Sequence, residues 1–97
     1  MYFVRADDID WADAQGNYVR LHAGGKAHML RRSFSDFEAS LDPRRFARIH
    51  RSTIVNLGFV ERMEQSFNYT YEVFLRGIQT PLALSRRYAV RLKRQRA

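Results

Sequence analysis

The sequence predicts a mainly β domain with one early helix and one closing helix. Three observations predict it. Apolar and polar residues alternate over several short runs, the period of half-buried strands. Those runs are bounded by turn formers, among them Gly24-Gly25 and the Gln15-Gly16-Asn17 segment. No apolar periodicity is long enough for the helices of a helix-turn-helix or a basic zipper. The chain has 97 residues, 45% of them hydrophobic, which suits a single core, so residues 1–97 are read as one domain.

The elements follow in order. Residues 9–14 include Trp11 and form a strand ending at Gln15-Gly16-Asn17. Residues 18–22 place Val19 and Leu21 inward, leaving Tyr18, Arg20 and His22 outward. A tight connection through Gly24-Gly25 leads to a strand at 26–30, the Gly pair supplying positive φ. Ser33 stands three residues before Asp36 as a helix start, and Phe34, Phe37 and Leu41 line one face, giving a short helix over about 34–41. Asp42-Pro43 ends it, because a residue preceding proline is driven out of helical geometry.

Residues 46–56 read as strand, polar turn and apolar segment. Ile49, Ile54 and Val55 serve the core, while Arg48, His50 and Arg51 face outward. Three further strands are expected at 60–65, 69–75 and 79–83, separated by Ser66-Phe67-Asn68 and by a turn near Gly77. Ser85 then caps a last helix with Tyr88, Ala89 and Leu92 on its inner side, and residues 93–97 form a frayed basic tail.

Charge narrows the partners. Seventeen Lys and Arg against ten Asp and Glu give +7, split +1 for residues 1–48 and +6 for residues 49–97. Such a field favours a polyanion, and an anionic membrane surface or an acidic protein satisfies it equally. Fifteen of the seventeen cations are Arg, which suits bidentate contact to phosphate or guanine and also results from GC-rich coding. Without cysteine there is no disulfide or Cys-ligated zinc, and the short apolar runs allow no transmembrane helix or secretory signal. The cytoplasm is the expected compartment.

The blocks Ile9-Asp10-Trp11, Gln15-Gly16-Asn17-Tyr18-Val19, Phe46-Ala47-Arg48-Ile49-His50-Arg51-Ser52-Thr53-Ile54-Val55-Asn56 and Leu84-Ser85-Arg86-Arg87-Tyr88 together resemble the LytTR family in content and order. The likeness covers nearly the whole chain. It departs from the family at residues 1–5, where the first strand is shortened, and at the 77–81 turn.

The resemblance implies about ten short strands in stacked sheets with one or two short helices. It further implies sequence-specific binding of duplex DNA by loops in successive major grooves, in bacterial response regulators of two-component systems. A receiver or membrane-sensor domain usually precedes such a domain, so the chain is expected to be a stand-alone form or an excised fragment.

Carried over by position, the reading residues are Asn17 and Tyr18 in one loop, Arg48, His50, Arg51 and Ser52 in a second, and Arg86 and Arg87 in a third. The arginines suit guanine O6 and N7 or phosphate, and Asn17 suits an adenine edge. Tyr18 suits a thymine methyl or the DNA backbone. The amides beside Ser85 suit a phosphate at a helix start. Expected partners are duplex DNA, as two domains on direct repeats with a possible dimer on DNA. No membrane, small-molecule substrate, cofactor or metal is expected.

Competing readings stand beside these. His22, His28 and His50 lack ligand spacing. Ser52, His50 and Asp42 sketch a hydrolytic triad without a nucleophile elbow or oxyanion loop, so no enzyme activity is expected. Asp7, Asp8, Asp10 and Asp13 suit a surface strand or linker better than a magnesium site. His50 is open between DNA contact and orienting the turn, and Arg20 between phosphate contact and plain strand surface. Trp11, Phe34 and Phe37 are read as core. Two alternative functions remain: single-stranded nucleic-acid binding, which needs exposed aromatics on adjacent strands, and a basic module docking an acidic protein.

Overall fold

Eight strands and two helices make up the computed structural model, which describes residues 4–67 and 70–96. They form a five-stranded antiparallel sheet of order β3-β2-β1-β5-β4 and a three-stranded antiparallel sheet of order β6-β7-β8. Its helices are α1 (Phe34–Ala39) and α2 (Arg86–Arg96). Residues 1–3, Asn68, Tyr69 and Ala97, with the side chains of residues 93–96, lie outside this description; the helical backbone runs to Arg96, in place of the frayed tail expected from residue 93.

The large sheet opens with β1 (Trp11–Gln15), β2 (Tyr18–Ala23) and β3 (Lys26–Arg31). The β1–β2 turn holds two residues, Gly16 with φ +58° and Asn17. At the opposite end, Gly24 and Gly25 both take positive φ, the geometry of the tight hairpin turn whose twist matches the strands. Val19 and Leu21 bury one face of β2, as their alternation predicts.

Helix α1 begins at Ser33, whose Oγ accepts from the Asp36 amide at 3.1 Å. It ends at Ala39 rather than near Leu41. The Ser40 and Leu41 amides donate to the carbonyls three residues back, Phe37 and Glu38, so the last turn tightens before Asp42-Pro43. Leu41 still packs on the core.

The 46–56 stretch is a hairpin of β4 (Phe46–His50) and β5 (Thr53–Asn56) around the two-residue turn Arg51-Ser52. A bulge lies between Arg48, opposite Ile54, and His50, opposite Thr53. The extra residue is Ile49, which goes into the core and re-aims His50. Asn56 is buried yet satisfied: its Nδ2 donates to the Ile9 carbonyl at 3.0 Å, and its Oδ1 accepts from the Gly58 amide at 2.9 Å.

The small sheet contains β6 (Val60–Gln65), β7 (Tyr71–Leu75) and β8 (Leu82–Leu84). The strand expected at 79–83 therefore starts three residues later and is shorter. Gly77, with φ +79°, turns the chain after β7, and Pro81 has no amide hydrogen to give a ladder, so pairing resumes only at Leu82.

Two apolar clusters form on opposite faces of the large sheet. Ile9, Ala12, Val19, Leu21, Phe46 and Ile54 pack under Phe37 of α1. Ile49, Val55, Val73, Leu75 and Leu84 pack with Tyr88 and Ala89 of α2, with Trp11 partly buried beside them. β5 joins the two, with Ile54 on one side and Val55 on the other.

Candidate nucleic-acid interface

Antiparallel pairing brings the three expected loops to one end of the large sheet. β1 lies between β2 and β5, so its C-terminal end meets both the 16–17 turn and the start of β5. The Ala14 amide donates to the Ser52 carbonyl at 2.9 Å, tying the first loop to the second. The Ser85 amide donates to the Ile49 carbonyl at 2.9 Å, bringing the start of α2 to the same end of β4. Arg31, opposite Tyr18 on β3, adds a fourth group there that sequence reasoning missed. Only the pairing register could have revealed it.

Among the expected site residues, Asn17, Tyr18, Arg51, Arg86 and Arg87 are exposed, and His50 and Ser52 are half-buried. Among the described residues Arg31, Arg51 and Arg87 enter no ion pair, so their charge is uncompensated at short range. Arg87 stands over the Tyr88 ring at 6.0 Å. Ser85 Oγ accepts from the Tyr88 amide at 3.4 Å, which places the helix start as expected.

Arg48 departs from the expectation that it faces outward. Its side chain keeps only 14% exposure. The guanidinium donates to Glu38 Oε1 at 3.0 Å, to the His50 carbonyl at 3.3 Å and to the Arg51 carbonyl. It lies 5.0 Å from the Phe34 ring centre and 5.5 Å from that of Tyr88. Opposite Ile54, its side chain emerges on the α1 side of the sheet, where a carboxylate and two turn carbonyls outcompete water. Arg91 of α2 reaches the same Glu38 at 3.6 Å, so one carboxylate joins both helices to β4.

The His50–Ser52 turn is held from within as well. His50 Nδ1 lies 3.0 Å from Ser52 Oγ and accepts from the Ser52 amide at 3.3 Å. A backbone amide can only donate, so the ring proton belongs on Nε2. His50 therefore orients the turn while keeping one donor available.

A second network lies beside the first loop. Arg20 Nε and Nη2 donate to the two oxygens of Asp13 at 3.0 and 2.6 Å across the β1–β2 pair. His22 Nε2 lies 2.9 Å from Asp13 Oδ1, Gln15 Nε2 donates at 3.3 Å, and Trp11 stacks on the His22 ring at 3.8 Å. Burial pushes the Asp13 carboxyl up. The hydrogen bonds from Arg20, His22 and Gln15 outweigh that and hold it below its ordinary value of 3.8. His22, expected at the surface, is accordingly half-buried, because the stack and the carboxylate draw its ring down. Among the described residues no group of three or more His, Asp or Glu is arranged to hold a metal ion. No helix among them is long and apolar enough to cross a membrane.

The family model described as the LytTr DNA-binding domain matches residues 1–96. A sensory transduction protein LytR of Staphylococcus haemolyticus is 29% identical over 73 residues, which are 75% of this chain and 28% of that protein. A transcriptional regulatory protein LytR of Staphylococcus aureus is 28% identical over 75 residues, 77% of this chain and 30% of that one. The chain thus spans under a third of the length of these curated relatives. Among solved structures, a LytTr DNA-binding domain of a Bacillus cereus response regulator superposes with a TM-score of 0.84 at 21% identity, covering 94% of this chain and 83% of that one. The strand and helix arrangement is therefore that fold.

Proposed function

The chain belongs to the LytTR family of DNA-binding domains, and from that premise we propose that it recognises duplex DNA sequence-specifically to regulate transcription, reading it with the loop end of the large sheet. The carrying observation is the convergence at that end of three loops with exposed Arg51, Arg86, Arg87 and Asn17. With neighbouring strands about 4.8 Å apart and α2 beyond β4, the row of loops runs roughly 20 Å. A duplex turn is about 34 Å, so the row leaves one major groove, crosses a phosphate ridge and reaches towards the next.

Within the row, Arg51 and Arg87 read guanine edges or clamp phosphates, Asn17 meets an adenine edge, and Tyr18 meets a thymine methyl or the backbone. Arg86 contacts phosphate. His50 and Ser52 present the second turn, and Arg48 shapes it from behind. Two such domains occupy direct repeats, in the setting of a response regulator. No reaction is part of this reading.

Binding of labelled duplex, measured from low to moderate salt, tests it. With about five phosphates neutralised, log affinity falls against log salt with a slope of about −4.5. A flat dependence, or better competition by single strands than by duplex, overturns the proposal. The single-stranded alternative needs neighbouring exposed aromatics, whereas exposed Tyr18 stands on the large sheet and exposed Phe67 beyond β6 of the small one.

A further inference from the structure

Arg20 is tied to a carboxylate, yet its guanidinium is not used up. Of its five N–H donors, the two facing Asp13 are engaged, side-on, through Nε and Nη2. The outer fork, made of both Nη1 hydrogens and one on Nη2, is left over. The Arg20 side chain keeps 37% exposure against 14% for Asp13, so the carboxylate lies beneath and the fork faces solvent. Asp13 is itself fixed by His22 and Gln15, with Trp11 stacked behind His22.

By strand alternation Arg20 shares its face with exposed Tyr18, two residues nearer the 16–17 turn, and stands opposite exposed Met29. Uncompensated Arg31 lies on the same face, opposite Tyr18.

We infer that Arg20, held by Asp13, is a further DNA contact of this domain and takes a backbone phosphate at the rim of the groove entered by the 16–17 turn. This rests on the duplex-binding reading. Arg20 is three residues behind Asn17, about 10 Å along the strand. The major groove is about 8.5 Å deep, so a group that far behind the tip stands level with the phosphates rather than the base edges. The free fork matches two phosphate oxygens. Asp13 lowers the net charge of the pair, but it removes the rotamer freedom a free arginine would lose on binding.

The test is a salt titration of duplex binding by the full chain, its Arg20→Gln variant and its Asp13→Asn variant. One duplex is selected from a random pool and the other is its shuffled counterpart. Arg20→Gln is expected to reduce the slope by roughly 0.9 and to weaken both duplexes by the same factor. Asp13→Asn raises the net charge by one, so simple attraction would tighten binding. A positioning role instead weakens it several-fold, and tighter or unchanged binding by Asp13→Asn counts against the inference.

An unchanged slope with Arg20→Gln overturns it outright. A loss confined to the selected duplex makes Arg20 a base reader and overturns the phosphate assignment. Unfolding curves accompany both variants, and if Asp13→Asn does not fold, the Arg20→Gln slope alone decides. Failure of the wild-type chain to bind duplex would instead sink the functional reading itself.

Discussion

Arg48 and Arg51 stand three residues apart, yet the bulge and the turn give them opposite tasks. Arg51→Ala is expected to leave the unfolding midpoint unchanged while costing about 1–3 kcal/mol of DNA affinity and relaxing preference at one base. Uniform weakening across sequences would assign Arg51 to phosphate. Arg48→Ala is expected to destabilise the fold by about 1–3 kcal/mol in urea unfolding, because the Glu38 carboxylate and two turn carbonyls lose a charged donor. An undiminished midpoint would show that the clamp is dispensable. Asp13 carries the pH dependence. Its folded carboxyl titrates below 3.8, so its contribution to stability is full at neutral pH and is lost as pH falls below that value. Asp13→Asn should therefore flatten the acid limb of a stability–pH profile, and an identical limb would place the acid sensitivity elsewhere. The resemblance carried by the 15–19, 48–56 and 85–88 blocks supplied the candidate site residues. It could not separate Arg48 from Arg51, since strand alternation treats both as polar and only the inserted Ile49 and the facing Glu38 decide between them.

At the scale of elements, the two tight turns of the first three strands lie at opposite ends of the sheet, so the proposed DNA contact can be tested at one turn with the other as control. Gly16 and Gly24 share φ +58°, and a Cβ at either meets nothing within 4 Å. Each Gly→Ala change therefore costs only the left-handed backbone penalty, about 1–2 kcal/mol. Gly16→Ala should also weaken DNA binding, whereas Gly24→Ala should not, when both are assayed at a temperature where they remain folded. Equal losses of affinity would mean that the 16–17 turn does not meet DNA. These turns, the strands at β1 to β3 and the Ser33 cap were all readable, because local chemistry sets them. The last hairpin was read less well. Its β8 is only three residues long, and its start is decided by where Pro81 lets pairing resume and by Leu84 reaching the core, neither of which periodicity reports.

At the scale of the whole molecule, the two apolar clusters share a wall. Ile54 and Val55 are both 1% exposed and face opposite ways from β5, so neither cluster persists once that strand leaves. Unfolding is expected as one cooperative transition, and Ile54→Ala should destabilise the fold by about 2–5 kcal/mol without splitting that transition. A two-step denaturation curve would show the small sheet and α2 to be an independent unit. The central placement of β1 carries the same logic into time. Flanked by β2 and β5, it has partners on both sides, and its amides should be among the last to exchange with deuterated solvent. The 16–17 turn is the direct continuation of that strand, so the tip we propose for DNA contact rides on one of the slowest-opening parts of the chain.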